Sequence, residues 1–232
     1  MLRTLSVFRV SANCLTPRIN LALLFAAGLL SLTAPTPGFA QSNQFAYVAN
    51  SSSSSLSGYE LNPATGALTP VPGSPFATGN GSGPTSVAVD QAGGFLYATN
   101  QFGGDANVVG FRIEPVTGRL IPVPGSPFTA GAGPTSVAVD PSGKFAYVAN
   151  LGSNNVSAFR IEPVTGRLIA LPASPYPAGS FPSSITVDPL GKFVYVTNSF
   201  SNDISGFTIN AATGALTPIP DRPSMRGRFL RR

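Results

Sequence analysis

The phrase FAYVAN, with its variants FLYATN and FVYVTN, is written four times in this chain, beginning at Phe45, Phe95, Phe145 and Phe193. Self-similarity at a fixed period restricts a chain to architectures in which each repeat is one supersecondary unit that buries its apolar faces against its neighbours. Three further columns run in phase with the aromatic phrase. PTSVAVD begins at Pro84 and Pro134 and returns as PSSITVD at Pro182. LSGYELNPATGAL, VVGFRIEPVTGRL, VSAFRIEPVTGRL and ISGFTINAATGAL begin at Leu56, Val108, Val156 and Ile204, and a proline-rich close (TPVPGSPF, IPVPGSPF, IALPASPY, TPIPDRPS) ends each unit.

Each unit parses into four short strands, a to d. Strands a and b are joined by DQAGG, DPSGK or DPLGK, where Asp opens the turn, Pro fixes φ in two of the three, and Gly closes it. Strands c and d are joined by NPATG, EPVTG twice and NAATG, whose Gly supplies a positive φ. No window after residue 40 shows a sustained helical period with caps. In strand b, Phe145, Tyr147 and Ala149 alternate with Ala146, Val148 and Asn150, so neither face is clearly polar and the sheet is predicted to be covered on both sides. Strands a and b carry no charge before the turn Asp, whereas Arg112, Glu114, Arg160 and Glu162 fall on strand c. Dry inner strands and wetted outer ones describe blades of an all-β propeller, each a four-stranded antiparallel sheet. Four b phrases but three a motifs predict about four blades, an incomplete or open ring with exposed edges.

Residues 1–40 read as an address. Arg3, Arg9 and Arg18 precede the apolar run INLALLFAAGLLSL, and Gly38, Phe39 and Ala40 end the segment with small residues in cleavage positions. The expectation is a secretory signal peptide cut after Ala40, hence a secreted or periplasmic protein with no membrane span after cleavage; the run is too short for an anchor. Residues 41–220 are then the repeat domain and 221–232 a basic tail. Cys14, the only cysteine, would leave with the leader. The net charge of +5 is likewise concentrated at the ends: between Gln41 and Pro220 there are six Lys or Arg and eight acids. No nucleic-acid footprint is expected on such a body.

YVAN and YVTN, preceded by GPTSVAVDPSGKF and followed by SAFRIEPVTGRL, make residues 41 to about 220 similar to the YVTN repeat of lactonase-like propellers, of which the 6-phosphogluconolactonase type is the best known. The resemblance implies a ring of seven blades and a His, Glu and Arg set in its channel. This chain has no histidine, so the first member of that set is missing, and Ser-His-Asp, Cys-His and HExxH chemistries are excluded outright. Noncatalytic propellers carry similar repeats.

Candidate residues fall on the loops between strands b and c, which should rim the channel. Asn50, Asn100, Asn150 and Asn198 end strand b, and Asp105, Asn155 and Asp203 lie in the loops that follow. Such amides and acids can bind sugar hydroxyls or a cation through oxygen ligands. Asn is equally the ordinary residue for leaving a strand in a left-handed turn. Asp90, Asp140 and Asp188 read as turn-openers, the Arg112–Glu114 and Arg160–Glu162 pairs as solvated outer-strand charges, and Ser51 to Ser55 as a flexible loop. No catalytic residue, metal or cofactor is assigned. The expected function is an extracytoplasmic binding or scaffold module, with a sugar or small polar ligand and with self-association, or pairing with another propeller segment, through its exposed edges. The alternative is a sugar-lactone hydrolase using Asp105 or Asp203 as base. The open ring has three explanations: a truncated or frame-shifted gene product, a half-propeller completed by dimerisation, or a soluble arc.

Overall fold

The computed structural model of the 232-residue chain describes residues 5–9, 44–79, 83–102 and 107–220. The cleavage position at Ala40, Asp105 and the basic tail 221–232 lie outside the described residues. Four antiparallel sheets follow one another along the chain. The first holds β1 (Leu5–Arg9), β2 (Gln44–Asn50), β3 (Ser55–Leu61), β4 (Leu68–Pro70) and β5 (Phe76–Ala77). The second holds β6 (Pro84–Val89), β7 (Phe95–Asn100), β8 (Asn107–Ile113), β9 (Leu120–Pro122) and β10 (Phe128–Thr129). The third holds β11 (Pro134–Val139), β12 (Phe145–Asn150), β13 (Asn155–Ile161), β14 (Leu168–Ala170) and β15 (Tyr176–Pro177). The fourth holds β16 (Pro182–Val187), β17 (Phe193–Asn198), β18 (Asp203–Ile209) and β19 (Leu216–Pro218). This is the all-β open propeller arc that the repeats predict.

Two details go beyond the four-strand reading. The outer strand of the first three sheets is split by the proline-rich close: β14 pairs with one end of β13 through Ile161↔Leu168, and β15 pairs with its other end through Val156↔Tyr176. In the first sheet, where no PTSVAVD precedes the aromatic phrase, Leu5–Arg9 takes the inner place and pairs with β2 from Leu5↔Val48 to Arg9↔Gln44. Removal of a leader at Ala40 would carry β1 away and leave the β2 edge unpaired. The serine run is also ordered: Ser51–Ser53 make a 3-10 turn, Ser54 is left-handed at φ 50°, and Ser55 begins β3.

The core lies between the sheets. One buried cluster joins Phe45 and Tyr47 of the first sheet to Phe111, Ile113 and Leu120 of the second. A second joins Tyr97 to Phe159, Ile161 and Leu168, and a third joins Phe145 and Tyr147 to Phe207 and Leu216. Full burial of one such side chain is worth roughly 1.5–3 kcal/mol, so each joint rests on several of these increments.

The PTS motif makes a second, inner joint. Its Thr is the extra residue of a β-bulge between Pro134 and Ser136 and between Pro84 and Ser86. The bulge turns the hydroxyl toward the next sheet: Thr85 Oγ1 donates to the Thr135 carbonyl at 3.0 Å, and Thr135 Oγ1 to the Pro182 carbonyl at 3.0 Å. Ser86 Oγ and Ser136 Oγ accept from the backbone N–H of Val137 and Ile185, each at 3.3 Å.

Antiparallel pairing places the b–c loops beside the start of strand a, through Pro134↔Asn150 and Asn150↔Asn155, and the a–b turns beside the start of strand b. The arc therefore has two rims. One carries the b–c loops and the sheet-to-sheet connections; the other carries the DPSGK and EPVTG turns.

Candidate functional site

The strand-ending asparagines are brought to the first rim, but their amides are spent on their own blades and, at Asn100, also on the close of the preceding one. Asn150 Nδ2 donates to Asn155 Oδ1 at 2.8 Å and to Ser157 Oγ at 2.9 Å. Asn198 Nδ2 donates to Asp203 Oδ1 at 2.7 Å and Ser205 Oγ at 2.9 Å, and Asn50 Nδ2 to Ser57 Oγ at 2.8 Å. Asn100 Nδ2 donates to Asn107 Oδ1 and to the Thr78 carbonyl, each at 2.8 Å. Each amide pins the start of strand c to the end of strand b. Asn100, Asn150 and Asn198 are buried, and their Oδ1 atoms meet no donor among the described residues. The left-handed positions belong instead to Ser54, Asn154 and Asn202, the residues immediately before strand c.

Asn107, not a loop acid, is the residue of the second blade in register with Asn155 and Asp203. The signal was available: counting back from VVGFRI rather than forward from FLYATN reaches Asn107, because the second b–c loop is longer.

The fourth blade differs from the others on this rim. Asp203 is exposed, and its Oδ1 accepts both from Asn198 and from Ser201 Oγ at 2.9 Å. Ser201 Oγ in turn accepts from the Ser180 N–H at 3.0 Å, which ties this loop to the connection from the third blade. That connection carries Phe181, standing where the earlier blades have Gly83 and Gly133. It keeps their left-handed backbone at φ 58°, a conformation that costs a bulky residue on the order of 1–3 kcal/mol. Its ring is tilted against Phe200 at 5.4 Å between centroids, and the two rings are 44% and 72% exposed. The phrase-by-phrase reading missed this pair; a Phe in a glycine column was its trace.

The carboxylates of Asp90, Glu114, Asp140, Glu162 and Asp188 lie on the other rim and are occupied by turns. Asp140 Oδ1 accepts from the N–H groups of Lys144 at 2.8 Å and Phe145 at 2.7 Å, and Oδ2 accepts from Ser142 N at 3.1 Å. Asp90 Oδ1 accepts from Phe95 N at 2.6 Å; burial pushes its carboxyl above the ordinary range against the pull of these backbone donors. At Asp188 a desolvation penalty is outweighed by the N–H groups of Phe193, Lys192 and Leu190 and the Lys192 charge, and its carboxyl is held below that range. Glu114 and Glu162 accept from Thr117 and Thr165 at the foot of their turns, at 2.6 and 2.8 Å. Among the described residues no group of three or more His, Cys, Asp or Glu is placed to hold a metal, and no helix is long and apolar enough to cross a membrane.

Several of the solved structures similar to this chain are described as lactonases. A solved structure from Bacteroides fragilis NCTC 9343, of a protein taken to be a 6-phosphogluconolactonase, superimposes with TM-score 0.69 at 25% identity, covering 78% of this chain and 51% of its own. A counterpart from Bacteroides uniformis gives TM-score 0.69 at 20% identity over the same shares. The periplasmic gluconolactonase of Pseudomonas aeruginosa gives 0.65 at 21%, covering 75% of this chain and 50% of its own. This chain thus spans about half the length of the solved structures it matches. A comparison with curated proteins returned no match. The family described as "Lactonase, 7-bladed beta-propeller" matches residues 38–178 and 122–228. The chain belongs to that lactonase propeller family.

Proposed function

We propose that this chain works on a sugar lactone at the loop rim of its fourth blade, with the Phe181–Phe200 pair as the platform for the sugar ring and Asp203 as the general base. One observation carries the reading: an exposed aromatic pair and an exposed carboxylate share one loop cluster in a chain of the lactonase family. Sugar sites combine an apolar face with a few fixed polar groups, and the serines and amides around Asp203 are of that kind. In the hydrolysis the oxygen of water bonds the lactone carbonyl carbon. The ring C–O bond then breaks, and the ring oxygen leaves as a hydroxyl. Among the described residues the hydrogen bonds to Asp203 fall on Oδ1, so Oδ2 is the atom that takes the proton from the attacking water and then returns it to the departing ring oxygen.

The test is hydrolysis of glucono-δ-lactone and its 6-phosphate by the full chain. Turnover is expected to fall by about 10²-fold or more in Asp203→Asn, the usual weight of a general base. Turnover indifferent to that substitution would remove Asp203 from the mechanism. A specific observation favours a noncatalytic binding or scaffold role as the second reading: there is no histidine, and Asp90, Asp140 and Asp188 are held by turn N–H groups. Lactone bound without turnover would select it. We place either activity outside the cytoplasm because of the leader-like residues 1–40; a secreted form beginning at Gln41 is the expected product.

A further inference from the structure

Every internal joint of the arc is assembled from the same two parts. The sheet on one side presents the Phe and Tyr of strand b; the sheet on the other presents the Gly of the c–d turn. The Tyr hydroxyl donates to that Gly carbonyl: Tyr47 to Gly118 at 2.6 Å, Tyr97 to Gly166 at 2.7 Å, Tyr147 to Gly214 at 2.9 Å. The Phe ring covers the Gly so closely that a Cβ there would lie 2.4, 2.3 and 2.3 Å from Phe45, Phe95 and Phe145. The Leu two residues on, at 120, 168 and 216, is 4–5% exposed.

Each end of the arc keeps one part without the other. On the first sheet Gly66 has the same backbone, φ 72°, yet a Cβ there meets nothing within 4 Å, and Leu68 is 48% exposed. On the fourth sheet Phe193 and Tyr195 face outward, Tyr195 being 41% exposed, with Ile204 beside them on the exposed face.

We infer that the chain pairs head to tail with a second copy, the Phe193 ring of one resting on Gly66 of the other and the Tyr195 hydroxyl donating to the Gly66 carbonyl. The occupant is a second copy because it supplies both missing parts at once, in the polarity used three times within the chain. Such contacts are heterologous and form a ring when the rotation closes. Two four-sheet arcs close if each joint turns about 45°, near the roughly 51° of a seven-bladed ring and within the known range of blade numbers. The pairing stands apart from the lactone reading and does not require it.

Sedimentation of the full chain between about 1 and 100 µM tests this. A dimer is expected. Gly66→Asn tolerates the left-handed backbone but puts a Cβ where the incoming ring must lie, in space that is open in the single chain. It should weaken pairing about tenfold or more with an unchanged circular-dichroism spectrum, and Phe193→Ala should do the same from the other end. An equimolar mixture of the two variants keeps one intact joint and should recover pairing. A monomeric wild type, a dimer indifferent to both substitutions, or a mixture that fails to recover would overturn the proposal.

Discussion

The three interior joints and the two ends of the arc are built from the same sequence columns and have opposite physical characters. Tyr97 is fully buried and hydrogen-bonded across a joint, while Tyr195, in the same column, is 41% exposed. Gly166 lies beneath the Phe95 ring, while Gly66, in the corresponding turn NPATG where Gly166 has EPVTG, faces open space. The aromatic phrase is therefore not what holds a blade together. It is a connector, and its energetic meaning depends on whether another sheet follows.

Substitution at the glycine column separates the two environments most sharply. Ala at Gly166 must adopt a left-handed backbone, at about 1–2 kcal/mol. It must also displace the Phe95 ring, at about 1–3 kcal/mol more. Ala at Gly66 meets only the first of these. In dilute solution, urea unfolding should show Gly166→Ala destabilised by about 2–5 kcal/mol and Gly66→Ala by about 1–2. Equal losses would mean that the ring contact contributes nothing and that backbone conformation alone selects glycine.

The repeat made the blades legible, because FAYVAN, PTSVAVD and the TG turn recur in phase and each carries its own strand or turn chemistry. What the repeat could not say is which column of one blade meets which column of the next. The partners Tyr47 and Gly118 are 71 residues apart, a distance that no local pattern encodes. The same limit governed the rim. Asn150 and Asn198 stood out as a column, but whether an amide faces a channel or its own hairpin depends on the Ser and Asn/Asp seven and five residues on. Phe181 was hidden for the opposite reason: it broke a glycine column that looked purely conformational. Leu5–Arg9 pairing with β2 had no counterpart in the repeat at all.

Removing one hydroxyl probes the connector more gently. Tyr147→Phe keeps the ring packed but strips the Gly214 carbonyl of its donor inside a buried joint, which should cost about 1–3 kcal/mol. Tyr195→Phe removes a hydroxyl from an exposed side chain and should change the stability of the single chain by less than about 0.5 kcal/mol. Comparable losses in thermal unfolding would show that the exposed tyrosine is engaged in the single chain and would weaken the contrast between joint and end.

The smallest effect is electrostatic, and its sign differs between the two regions. Asp90 and Asp188 open the same turn and each receives the N–H of the strand-b Phe, at 2.6 Å in both. A Cβ on Gly143, in the next blade's turn, would come within 3.8 Å of Asp90, so that neighbour helps to cover the carboxylate; Asp188 belongs to the last sheet. Burial raises the Asp90 pKa above 3.8, so the folded state holds its proton to higher pH than the unfolded chain, and stability falls as pH rises from 3.8 through the folded value. At Asp188 the turn N–H groups lower the pKa, so its contribution is present above 3.8 and is lost as pH falls through the lower folded value. Stability measured from pH 3 to pH 6 should therefore show the advantage of wild type over Asp188→Asn shrinking toward acid, while its standing relative to Asp90→Asn improves toward acid. Parallel curves for the two variants would mean that the covering blade does not desolvate Asp90, and that both ends of this comparison share one environment after all.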